Sequence, residues 1–179
     1  MTRAHLGSDI NPEELLRAEE YTRFLERTQL DRTRPQAGLE CSQLGHYDRL
    51  FDHILGHRYF LGIDRGHEVS TPEAAASWYD LVYKPLIDLV CSQDLDGRLP
   101  GWTETDIYVA LTRIWLDLDE EGLAAGPEGA ASTLLADPEA AGPPPRAPCR
   151  RLPRTRRPWG VRLNGGWQIF RRASLSGSA

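Results

Sequence analysis

YDRLFDHILGHRYFL, residues 47–61, is the stretch on which the reading of the fold turns. At about 100° per residue, Tyr47, Leu50, Phe51, Ile54 and Leu61 fall in one stripe, the pattern of a helix packed on one side. The same arithmetic sets His46, His53 and His57 within about 40° of one another on the flank of that stripe, beside Leu50 and Phe60. His53 and His57, at i and i+4, form a pair able to hold a divalent metal through two imidazoles. A zinc-protease helix needs glutamate directly after the first histidine, and Ile54 stands there instead. Oxygen ligands would have to come from another helix, and Asp80, Glu104 and Asp106 are the nearest candidates by composition.

Toward the N-terminus, Arg32 to Gly45 carries Pro35, Gly38 and Gly45 and no sustained helical period. It reads as a connector with a short extended piece at Leu39–Ser42. Before it, Asn11-Pro12-Glu13-Glu14 combines an N-cap, a proline suited to the first turn and two acids at the positive helix end. A first helix is expected from there to about Leu30, laid on the surface of the body because its apolar positions are few.

Toward the C-terminus, Gly62-Ile63-Asp64-Arg65-Gly66 should break the second helix, and Ser70-Thr71-Pro72-Glu73 has the spacing of a capping box that starts a third. Ala74, Ala75, Trp78, Leu81, Val82, Leu86 and Leu89 continue it as a buried stripe. Pro85 inside it predicts a kink or break near Leu81–Lys84. Asp94–Arg98 and Pro100-Gly101 read as turns. Asp94, Asp96 and Gly97 mimic part of a calcium loop, but Ser92 and Thr103 stand at the two positions where carboxylates are required. Thr103 caps a fourth helix with Ile107, Ala110, Leu111, Ile114 and Leu118 on one face. A short fifth helix is expected over Pro127–Ala136. The aromatic strings Trp78-Tyr79-Asp80 and His57-Arg58-Tyr59-Phe60 could line a pocket, although core is the commoner use of such residues.

The chain of 179 residues has a net charge of −5, but the charge is segregated. Residues 1–145 sum to −14, whereas residues 146–179 hold nine arginines and no acid. An acidic body repels phosphate; the basic end could bind nucleic acid through Arg150, Arg151, Arg154, Arg156 and Arg157, with Trp159 or Trp167 stacking on bases. Asp117, Asp119, Glu120 and Glu121 could receive the same arginines. The composition of this end, rich in Pro, Arg, Gly and Ser, predicts disorder. Cys41, Cys91 and Cys149 have neither the number nor the spacing of a disulfide framework or a Cys-based zinc site. The absence of an apolar secretory segment and of a long apolar run predicts a soluble, cytoplasmic protein without a membrane partner. No GxGxxG, Walker, GxSxG or kinase signature occurs, so nucleotide cofactors and serine-hydrolase chemistry have no motif behind them.

The strings HRYFLG (57–62), WYDLVYKP (78–85) and LPGWTETDIY (99–108) resemble an uncharacterised bacterial helical family of GC-rich genomes, whose members carry HRYFLG, WYDxVYxP and PGxTExDxY. The resemblance covers about residues 22–120. It implies an association with ParB-like proteins or transcriptional regulators, and with the unknown-function domain ending lipopolysaccharide-kinase-like proteins. It implies no catalytic residues, and a ParB-like domain upstream is not expected here.

Together these readings predict an all-α bundle of about four to five helices with a disordered Arg/Pro-rich C-terminal tail. The expected division is an N-terminal helix and connector over 1–45, a helical core over 46–137 and the basic tail over 138–179. The expected function is a non-catalytic binding or regulatory module with a protein partner. The alternatives are a metal-dependent enzyme using His46, His53 and His57, and a DNA-associated regulator acting through the tail arginines.

Overall fold

The computed structural model describes residues 11–123 and 126–138, so Cys149, the tail arginines and the tail aromatics lie outside the described residues. The protein is all-α, and no strand occurs among the described residues. Helix α1 spans Pro12–Thr28, with Asn11 Oδ1 accepting from the Glu13 amide at 3.1 Å. It stops short of Leu30 because Gln29 turns left-handed, and a single further turn, α2, covers Leu30–Thr33. The N-terminal half of α1 leaves Leu15 and Leu16 exposed, but its C-terminal half joins the core. Phe24 and Tyr21 pack on Tyr47, and the Arg27 guanidinium lies 3.4 Å over the Phe51 ring. Phe24, Leu30, Leu39 and Cys41 thus belong to the same buried cluster as the later helices.

The expected extended piece at Leu39–Ser42 is not a strand, since no second strand pairs with it among the described residues. It is held instead by one side chain: the Tyr47 hydroxyl donates to the Leu39 carbonyl and accepts from the Cys41 amide, both at 3.2 Å.

Helix α3, His46–Arg65, buries Tyr47, Leu50, Phe51, Ile54 and His57. It runs through Gly62 and ends only at Gly66, whose left-handed φ of 71° lets its amide close back onto the Gly62 and Ile63 carbonyls. The expected break at Gly62 fails because Gly62 keeps helical geometry. Its missing side chain serves packing instead, as a Cβ there would sit 3.3 Å from the His67 carbonyl oxygen.

Helix α4, Thr71–Trp78, is capped by Ser70. A wide π-type turn at Tyr79–Tyr83 then leads into α5, Lys84–Ser92, without breaking the rod. Pro85 has no N–H, so the turn before it relaxes, and the Lys84 amide reaches five residues back to the Tyr79 carbonyl. The extra residue rotates the following side chains. Leu81, expected in the buried stripe, is 52% exposed, while Tyr79, Val82 and Tyr83 turn inward.

The stretch expected as turns contains one helical turn, α6 (Leu95–Arg98), followed by α7 (Glu104–Glu120) and α8 (Gly126–Ala136). Over Thr105–Thr112 every residue of α7 is buried, so this helix passes through the molecule rather than lying on one side of it. Ala130, Ala131 and Leu134 of α8 are buried in the same cluster.

Candidate functional site

Asp106 is the fully buried carboxylate around which the polar interior is arranged. Local sequence places it three residues after Thr103: the Thr103 hydroxyl accepts from the Asp106 amide at 3.0 Å, and the Asp106 carboxylate accepts from the Thr103 amide at 3.3 Å. The carboxylate also accepts from the Ser42 amide at 3.1 Å, the Thr103 hydroxyl at 2.7 Å and His46 Nδ1 at 2.8 Å. Burial pushes its pKa upward, but the hydrogen bonds from His46, Ser42 and Thr103 outweigh it and hold the carboxyl below its ordinary value. The Ser42 hydroxyl oxygen is buried without a hydrogen-bond partner among the described residues.

Two turns along α3, His53 Nδ1 lies 3.3 Å from the Tyr108 hydroxyl, which also accepts from the Trp78 indole N–H at 3.2 Å. Tyr83 packs against both Trp78 and Tyr108, and its hydroxyl pairs with Thr105 at 2.9 Å. Burial pulls His53 down to about 4 and pushes the Tyr108 phenol up. His57 Nε2 bonds the Ser77 hydroxyl on α4 at 2.9 Å, while its buried Nδ1 has no partner among the described residues. Burial, with the Arg65 charge beside it, pulls this ring down to about 4 as well.

The three histidines therefore share a helix flank but not a site. His46 is given to Asp106, His53 to Tyr108 and His57 to Ser77. Of the carboxylates named from composition, Asp106 meets His46, whereas Asp80 accepts from Arg34 Nε at 2.9 Å. Among the described residues, no group of three or more His, Cys, Asp or Glu side chains is placed to hold a metal ion. The Asp106–His46 pair can orient one imidazole tautomer; the other two rings, neutral near pH 7, act as hydrogen-bonding core residues.

Residues of all three sequence strings meet in this interior: His57, then Trp78 and Tyr83, then Thr105, Asp106 and Tyr108. The pairing of His46 with Asp106 spans 60 residues and has no sequence signal; the T-x-x-D spacing of its other half does.

A separate feature lies on the opposite side of α3. A groove of about 540 Å³ is lined by residues of the C-terminal half of α3 and of the segment 66–69 that follows it. Its apolar floor is Leu55, Tyr59 and Ile63, at i, i+4 and i+8, which are 37%, 65% and 57% exposed. Arg58 forms a wall, its Nε donating to the Val69 carbonyl at 2.7 Å and its Nη2 to Glu68 at 2.6 Å. The HRYF string is thus divided: His57 is core and Phe60 half-buried, but Arg58 and Tyr59 line the groove. A second apolar stripe at 55, 59 and 63 was present in the sequence, hidden by the stronger one. The acidic residues Asp117, Glu120 and Glu121 are exposed at the end of α7, and the arginines expected to meet them lie outside the described residues. Cys41 is buried and Cys91 half-buried, and no disulfide joins them. No helix among the described residues is long and apolar enough to cross a membrane. No family model, curated protein or solved structure matches the chain.

Proposed function

We propose that the protein is a non-catalytic helical binding module that receives apolar side chains of a protein partner in the α3 groove. The observation that carries this reading is the contrast between the two sides of α3. The inner side spends His46, His53 and His57 on Asp106, Tyr108 and Ser77, so none of these three lines the groove, where the histidine present is His67 of the segment that follows α3. The outer side presents three large apolar residues in a row beside a concave wall. Contiguous apolar surface rimmed by polar groups is the usual character of a protein-binding patch. The resemblance to regulator-associated helical proteins fits the same reading.

The test is a photo-activatable crosslinker placed in turn at Tyr59, in the groove, and at Arg23, on the exposed face of α1. The expected result is a discrete protein adduct from Tyr59 alone. No adduct from Tyr59 above the Arg23 control, in the cell that makes the protein, contradicts the proposal.

A further inference from the structure

The histidines on the inner flank of α3 have partners of two kinds, and acid acts on them with opposite sign. His46 Nδ1 meets a carboxylate, Asp106 at 2.8 Å, so a proton on that ring sets a cation beside an anion and tightens the contact. His53 and His57 meet the hydroxyls of Tyr108 and Ser77, which carry no countercharge for a protonated ring. We propose that the seam between α3 and α4 is an acid-sensitive latch with His57 as its proton-binding residue: when that ring takes a proton, the C-terminal part of α3 parts from α4 while its N-terminal end stays on α7. The latch is independent of what the α3 groove receives.

The geometry at His57 carries the proposal. The residue is 3% exposed, and its Nδ1 is buried without a partner among the described residues. A protonated imidazole has an N–H on both nitrogens, so Nδ1 would hold a donor and part of a charge with nothing to accept from it. Hydration relieves that cost, and because Nε2 is bonded to Ser77 of α4, hydrating the ring means parting the two helices.

The charges around the seam do not offset a cation there. Arg65, two turns further along α3, is itself a cation and pairs with Glu73 of α4. The segment after α3 brings His67 and also Glu68, which is taken by Arg58. From α1, Arg27 lies over Phe51 and faces Asp48 at 3.8 Å. From α7, Asp106 is taken by His46, and Tyr108 stands against His53, on which Asp52 and Arg49 act with opposite signs. Among the described residues, no carboxylate forms an ion pair with the His57 ring.

The closed ring titrates at about 4 and a solvated one at 6.5, so below pH 6.5 the open form binds more protons. Opening at His57 therefore becomes about twentyfold more favourable between pH 7 and pH 5, and more where it extends to His53.

Hydrogen exchange on the full chain, corrected for the intrinsic rate at each pH, tests the latch. At pH 5 the amides of 57–65 and 71–77 should be about tenfold or more less protected than those of 47–51 and 105–112, as for a local opening. Their own protection should fall by about twentyfold or more from pH 7 to pH 5. His57→Gln keeps a hydrogen-bonding side chain but takes no proton, and should reduce that fall by about twentyfold. Each protein is compared with itself at the two pH values, so a change in overall stability does not enter. Equal protection in the two sets of amides at pH 5 overturns the inference, since the molecule then opens as a whole. A fall that His57→Gln leaves unchanged overturns it too. Should His57→Gln not fold, the wild-type protein decides alone: no difference between the two sets, or no fall between pH 7 and pH 5, overturns the latch.

Discussion

Asp106 and the two histidines with depressed pKa concentrate the energetic consequences at single residues. Removing the Asp106 carboxylate strands the Ser42 amide, the Thr103 hydroxyl and His46 at once. Loss of one partner from a buried charged network costs about 3–5 kcal/mol. Asp106→Ala is therefore expected to lose that much in urea unfolding at pH 7, and Asp106→Asn, which keeps part of the hydrogen bonding, distinctly less. For His53 and His57 the sign runs the other way from a salt-bridged histidine. Both are neutral in the folded protein down to about 4, whereas in the unfolded chain they protonate below 6.5. Between those values the unfolded state binds more protons, so stability is complete above pH 6.5 and falls as the pH drops toward 4. By pH 5 each ring costs roughly 2 kcal/mol, measurable as a lower urea midpoint at pH 5 than at pH 7. A midpoint unchanged over that range contradicts the burial of the two rings. Asp106, held below its ordinary value, adds a second loss only at still lower pH, as it too becomes protonated. Sequence made the helix flank of the histidines legible, but not their partners, because those are set by how α3, α4 and α7 cross.

At the scale of elements, the caps were written locally and were read accordingly. Asn11, Ser70 and Thr103 each bond an amide two or three residues ahead, a contact that needs no tertiary knowledge. The register of the α4–α5 rod was not legible beyond the kink. Pro85 announces a disturbance, but whether the chain breaks or inserts a residue depends on what packs against it. Here Trp78, Tyr79 and Tyr83 stack inward and the wide turn absorbs the proline. A pair of substitutions tests that register. Leu81→Lys should change stability by less than about 0.5 kcal/mol, as for an exposed site, whereas Val82→Lys buries an unpaired charge and should unfold the protein at moderate temperature. If Leu81→Lys is the damaging one, the rod is a regular helix and the π-type turn is absent. Gly62 gives a similar lesson in the opposite direction: a glycine that looks like a stop signal is retained for close contact with the His67 carbonyl, while Gly66 supplies the stop.

For the whole molecule, the all-α class was legible because periodicity survives without tertiary information, and the five rods expected from it are present when α4, its wide turn and α5 are counted together. The sequence concealed the centrality of α7, which reads as a one-sided helix yet is buried all round over Thr105–Thr112, since α8 covers the side that periodicity leaves apparently free. It also concealed that α3 has two apolar sides, one packed through Leu50, Ile54 and His57 and one exposed through Leu55, Tyr59 and Ile63. Urea unfolding of Tyr59→Asp/Ile63→Asp at high dilution distinguishes an open outer side of α3 from a packed one. With the outer side open, the free energy of unfolding stays within about 1 kcal/mol of the wild-type value, as expected for exposed positions. A loss of more than about 3 kcal/mol would mean that this face packs inside the fold and is no binding surface.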